Sequence, residues 1–229
     1  LQPFKFLAFS LDASMLFRLT SPIGGYVRLD TVRHENQPKE VEEGMISVEM
    51  RIVICPGIHS PELTEQFIAA LGQPLDQVLI VPSDRIPVYS PKHIFNFLSP
   101  VHPMPLLFIA FSAGVVGAIG AARLWQRQGG KVQGLVAIDG WGVPLFGNFP
   151  IHRMSHDFFT HWSSALLGEG LKSFYADPPV EHLTLWHSPD QVQGYGIVET
   201  SRQAITANHF LIGLIDRYSK RSRYDSEGT

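Results

Sequence analysis

The sequence predicts an α/β protein built on a doubly wound, mostly parallel sheet, and three observations carry that expectation. Short runs that are apolar almost throughout recur along the chain, as strands covered on both faces require. Segments with helix caps lie between them. Proline, glycine or serine bounds each run. Alternation of strand and helix in this order calls for parallel strands joined by crossover helices.

Length and composition bound the rest. A chain of 229 residues fits one domain, or one with an appendage, and buries a core without disulfides or metal. With 45% hydrophobic and 17% charged residues, wholesale disorder is excluded. A formal net charge of −3 leaves no footprint for nucleic acid or an anionic membrane. The single cysteine, Cys55, excludes a disulfide framework and a thiolate zinc cage, so a reducing, cytoplasmic setting is expected.

Taken in order, residues 1–49 read as an N-terminal extension or leader. Their apolar opening is cut by Lys5, Asp12 and Arg18 into runs too short for a membrane span, and an acidic, polar stretch follows. The domain is expected over 50–220, with a polar tail at 221–229. Candidate strands are 51–55, 78–81, 105–111, 132–138 and 183–187. Ser60-Pro61-Glu62 opens a helix that Gly72 closes, and Ser90-Pro91 opens another. A third begins near Ala113 and stops at Gly129-Gly130. Cys55, just inside a strand end, reads as a small core residue.

The strongest chemical signal lies at LLFIA-Phe111-Ser112-Ala113-Gly114. A serine between an apolar strand and a helix, with Ala110 two positions before and Gly114 two after, describes a nucleophile elbow. Small flanking residues are needed because strand and helix backbones nearly touch there. The helix N-terminus offers free N–H groups and a positive dipole end to a developing oxyanion. Gly117, Ala118, Ala121 and Ala122 let the helix lie close on the sheet.

On these residues the chain resembles the α/β-hydrolase superfamily over 51–218, with Ala110 in place of the usual first glycine. The stretches CPGIHSPELTEQF and FSAGVVGAIGAA are also similar to small hydrolase-fold proteins of cyanobacteria, a likeness that implies no particular activity. The superfamily resemblance implies an oxyanion hole made by the N–H groups of Ala113 and Ile58, since Pro56 has none. It also implies the chain order serine, acid, histidine. Asp139 ends a strand 27 residues after Ser112 and is the expected acid, placed as in thioesterase-like members. Asp190 is the alternative. By order His209 is the expected base, provided residues 207–209 are loop, because Phe210, Leu211, Leu214, Ile215 and Tyr218 form the opposite, apolar helix face.

His156 is the alternative base, carried on a helix N-capped by Ser155 with Phe158, Phe159, Trp162 and Leu166 facing inward. His152 and His156 stand four apart, but without a third ligand nearby that spacing is a poor zinc signal, and no metal is expected. His187 reads as a satisfied core residue, and His59 as a residue shaping the site. Residues 143–180 fit no strand pattern, and the resemblance implies a helical cap there. Its rings, with Trp141, Phe158 and Trp162 foremost, suit an apolar acyl group. The expectation is a serine esterase or thioesterase acting on a small apolar acyl substrate without a cofactor. The alternative is an inactive protein of the same fold that binds a small apolar ligand or partner.

Overall fold

The structure is a computed structural model and describes residues 50–168, 170–198 and 201–227. The extension expected at 1–49 lies outside the described residues. One sheet of eight strands runs β2-β1-β3-β4-β5-β6-β7-β8. Its strands are β1 (Arg51–Cys55), β2 (Val78–Ile80), β3 (Leu106–Phe111), β4 (Val132–Ile138), β5 (Ile151–Ser155), β6 (Lys172–Ala176), β7 (Gln193–Val198) and β8 (Ser201–Thr206). Strands β1 to β6 pair in parallel, and β7 and β8 join antiparallel at the end.

Alternation along the central strands explains why both faces are covered. Ile52, Ile54, Leu107, Ile109, Phe111, Val136 and Ile138 join one core. Their neighbours Val53, Cys55, Leu106, Phe108, Ala110, Leu135 and Ala137 join the other. The first core is closed by α1 (Pro61–Leu71), α5 (His182–His187) and α6 (Ala207–Glu227), the second by α2 (Pro91–Leu98) and α3 (Ala113–Arg127). A strand apolar at every position is the consequence.

Several helix ends follow from single residues. Pro61 and Pro91 occupy the first turns of α1 and α2, and Gly72 closes α1 in the left-handed conformation at φ 60°. Gly117 faces the backbone carbonyl of Val88, so it admits the loop before α2 rather than the sheet. Ala118, Ala121 and Ala122 are fully buried in the core beneath α3.

Four expectations are corrected. The strand expected at 183–187 is helix α5, which at six residues is too short to show a helical period. The interval 143–180 is not a helical cap, because it supplies β5, α4 (Phe158–Ala165) and β6 to the sheet and its face. Polar residues hide β5: His152, Arg153 and Ser155 are all buried. Helix α4 is capped not by Ser155, which ends β5, but by Asp157, whose Oδ1 accepts the Thr160 N–H at 2.7 Å. Residues 221–227, expected as a tail, continue α6. Among the described residues no helix is long and apolar enough to cross a membrane.

Candidate active site

Strand register brings the candidate residues to one rim. Phe111 of β3 pairs with Ile138 of β4, and Ile138 pairs with Met154 of β5. The chains therefore leave three adjacent parallel strands at the same level, carrying Ser112, Asp139 and His156. Two backbone bonds hold the exits: Ser112 N–H donates to the Ile138 carbonyl at 2.9 Å, and Asp139 N–H to that of Met154 at 2.8 Å. After β6 the chain returns to the rim, where Val180 N–H donates to the His156 carbonyl at 3.0 Å. His182 then opens α5.

Ser112 sits at φ 52°, ψ −122°, a conformation that side-chain-bearing residues rarely adopt. Close packing accounts for its neighbours. A Cβ on Gly114 would strike the carbonyl oxygens of Cys55 and Pro56, and one on Gly57 would lie 3.1 Å from the Cβ of Ser112. The end of β1 thus presses directly on the serine turn. Ala113 begins α3, where the first N–H groups have no partner within the helix.

Asp139 is buried and accepts three hydrogen bonds. Its Oδ1 takes the His156 N–H at 3.0 Å, and its Oδ2 takes Nδ1 of His156 at 2.9 Å and Nδ1 of His182 at 2.8 Å. Burial pushes its pKa up, but the hydrogen bonds from His156 and His182 outweigh that and hold it below the ordinary aspartate value.

The two histidines differ in what they have left. His156 also meets Oδ2 of Asp157 through Nε2 at 2.7 Å. Both partners are carboxylates, an arrangement that favours the protonated ring. The hydrogen bond to Asp139 raises its pKa accordingly, against an opposing effect of burial. With Nδ1 on Asp139 and Nε2 against Asp157, both ring nitrogens of His156 are engaged by carboxylates, which counts against it as the alternative base.

His182 donates Nδ1 to Asp139, which leaves Nε2 as the lone-pair nitrogen. Its side chain is 42% exposed, open to a reactant. An aromatic stack fixes the ring: His182 lies on Phe111 at 4.6 Å, Phe111 on Trp186 at 4.9 Å, and Trp186 on Phe67 at 3.8 Å. Phe111 is the residue before Ser112. Among the described residues the Ser112 hydroxyl makes no hydrogen bond to a histidine.

His209 is not brought to this rim. Helix α6 already runs from Ala207, so His209 stands exposed on its first turn, with its N–H on Oγ1 of Thr206 at 3.1 Å. Phe210, Leu211, Leu214, Ile215 and Tyr218 are buried on the other face, as the periodicity requires. Asp190 is exposed in the turn after α5 and meets no histidine among the described residues. His187 ends α5 with Nδ1 2.7 Å from Oγ of Ser188. His152 pairs with Tyr218, Nε2 to Oη at 2.8 Å, and so has no part in a metal pair with His156. Cys55 is fully buried, and burial pushes its thiol pKa far up.

Ile58 is 77% exposed in the bend after β1, next to Gly57 and hence to the serine turn. His59 turns its ring toward Phe111 and Trp186, with Nδ1 2.9 Å from the Ser60 carbonyl. The α4 rings do not face inward: Phe158, Phe159, Trp162 and Leu166 are all more than half exposed. The residues that α4 buries are Thr160 and Ser164 instead. Trp141 is exposed too, tied by Nε1 to Oγ of Ser163 at 3.1 Å.

His182 is the residue that sequence reasoning missed. It follows Ser112 and Asp139 in the chain, but only β6 and the return of the chain after it bring it to this rim. Comparison with protein-family models and with curated proteins finds no match to this chain.

Proposed function

We propose that this chain is a serine hydrolase of the α/β-hydrolase type, cleaving an ester or thioester of an apolar acyl group through an acyl-enzyme. The observation that carries the reading is His182, bound by Nδ1 to buried Asp139 and stacked on the residue before a strained serine. Asp139 follows the strand next to that of the serine, the placement that thioesterase-like members of the superfamily carry. A buried free cysteine agrees with a cytoplasmic setting.

In this reading Ser112 Oγ gives its proton to His182 Nε2 as it attacks the substrate carbonyl carbon. The N–H groups of Ala113 and Ile58 receive the oxyanion, aided by the N-terminus of α3. Asp139 holds the His182 tautomer and stabilises the imidazolium. Collapse of the intermediate breaks the bond to the leaving group, which takes the proton from His182. Water then releases the acid by the same steps, with His182 accepting a proton from it. The exposed rings of Trp141, Phe158 and Trp162 offer an apolar approach for the acyl group, and His59 shapes the wall beside Ile58.

The test is hydrolysis of p-nitrophenyl esters and acyl thioesters of increasing chain length by wild type and Ser112→Ala. Turnover that rises with chain length and disappears in the variant supports the reading. The rival, a binding protein of the same fold without chemistry, draws on the unbonded Ser112 hydroxyl. Failure of the wild type on every substrate would leave that rival standing.

A further inference from the structure

Asp139, His156 and His182 have a second property that proton transfer does not use. Oδ2 of Asp139 and the Nδ1 atoms of the two histidines all lie within 4.8 Å of one another, with N···O separations of 2.9 and 2.8 Å. Two imidazole nitrogens and one carboxylate oxygen are the donor set of three-ligand zinc-class sites, which keep a further position open. Those N···O separations are hydrogen-bond contacts, about 0.5 Å short of the edges of a tetrahedron around a cation bound at about 2.0–2.2 Å, so occupation requires the donors to move slightly apart.

Placement and surroundings agree. Asp139 and His156 are fixed to each other by a backbone bond as well as a side-chain one. Asp157 sits on the far nitrogen of His156 at 2.7 Å. A carboxylate accepting the outer N–H of a ligating histidine fixes its tautomer and raises its basicity. With one proton kept on Nε2, loss of the proton that Nδ1 shares with Asp139 turns a lone pair toward Asp139 and the centre of the cluster. The histidine side chains are 26% and 42% exposed, which gives a cation a way in.

We propose that Asp139, His156 and His182 form a binding site for one divalent cation of the zinc class, whose occupation switches off His182 as a base. The cation replaces the proton between His156 and Asp139, so binding releases a proton to solvent. Coordination through His182 Nδ1 moves the remaining ring proton to Nε2. That nitrogen then has no lone pair for the Ser112 proton, and Asp139 is engaged by the cation. The switch rests on the hydrolase reading; the site does not.

Metal-free full-length chain is titrated with Co²⁺, followed by its visible absorption, and with Zn²⁺ by equilibrium dialysis. Wild type and Ser112→Ala are expected to bind one equivalent, while His156→Ala and His182→Ala lose it. Asp157→Asn is expected to bind about 10- to 100-fold more weakly. Far-UV circular dichroism confirms that each variant is folded; should His156→Ala fail to fold, His182→Ala on the half-exposed first turn of α5 carries the test. Absence of stoichiometric binding by the wild type, or binding that survives loss of either histidine, overturns the site. In a second arm Zn²⁺ is expected to slow fluorophosphonate labelling of Ser112, and a chelator to restore it. Labelling unchanged with metal bound overturns the switch alone. Labelling absent with and without metal overturns the hydrolase reading and the switch, while the Co²⁺ arm still decides the site.

Discussion

Ser112 and Asp139 leave adjacent strands at the same level, each with a positive φ, 52° at the serine and 49° at the aspartate. Among the described residues they are the only non-glycine positions with that backbone. Such conformations persist only where the surroundings hold them, and they gather at functional sites. Here the two turns stand side by side at the same sheet edge, and the Asp139 carboxylate meets His156 and His182 there.

Strain at Ser112 predicts a trade between stability and chemistry. Ser112→Gly relieves the backbone, whereas Ser112→Ala keeps it. The glycine variant is expected to be more stable than the alanine variant by about 1 kcal/mol, with neither labelled by an active-site probe. Urea unfolding compares them, and an alanine variant as stable as the glycine one would count against a strained serine.

Glycines on the two sides of the sheet should respond in opposite directions. Gly114→Ala drives a methyl into the carbonyls of Cys55 and Pro56, where backbone cannot yield. A loss of about 2–3 kcal/mol or more is expected. Gly213 lies in α6 with nothing near its would-be Cβ. Gly213→Ala is expected to gain about 0.5–1 kcal/mol. Denaturant midpoints read both, and similar effects at the two sites would contradict the packing described.

His152 predicts an acid-sensitive core. Burial pushes its pKa down to about 4, with the charges of Lys172 and Arg217 adding to this and the Lys172 backbone partly offsetting it. Tyr218 is its hydrogen-bond partner from α6. The folded state therefore keeps the ring neutral while the unfolded chain takes up a proton below the ordinary value near 6.5. Its contribution is complete above that pH and falls as pH drops toward 4, by about 3 kcal/mol in all. Urea unfolding of wild type and His152→Asn at pH 7 and pH 4.5 checks this, since wild type should lose more stability between the two. Parallel losses would show that His152 does not titrate in this way.

Much of the fold was legible because β1 to β4 are apolar at nearly every position, Arg51 and Gln133 excepted, and their helices begin at Ser-Pro pairs or end at glycine. Strand β5 was not, since among the described residues the partners of its buried Arg153 are the carbonyls of Leu167 and Gly168, which only the tertiary fold supplies. No local pattern announces those. Strand β8 lies at the sheet edge with its first four residues exposed, so it lacks an apolar run. The site divided in the same way. Ser112 and Asp139 stand at the ends of readable strands, but His182 reaches Asp139 across 43 residues, through β6 and a turn that the sequence pattern does not mark. His209 was favoured by chain order and by a stretch that resembles a histidine loop before a final helix, on the condition that residues 207–209 are loop, and α6 starting at Ala207 does not meet that condition.

Labelling by a fluorophosphonate probe, followed by peptide mass spectrometry, tests most directly whether Ser112 is a nucleophile served by His182. Wild type and His209→Ala should label on Ser112 at similar rates. Ser112→Ala should not label, and His182→Ala and Asp139→Asn should slow by about two to four orders of magnitude. Full-rate labelling of His182→Ala, or no labelling of folded wild type, would contradict the assignment.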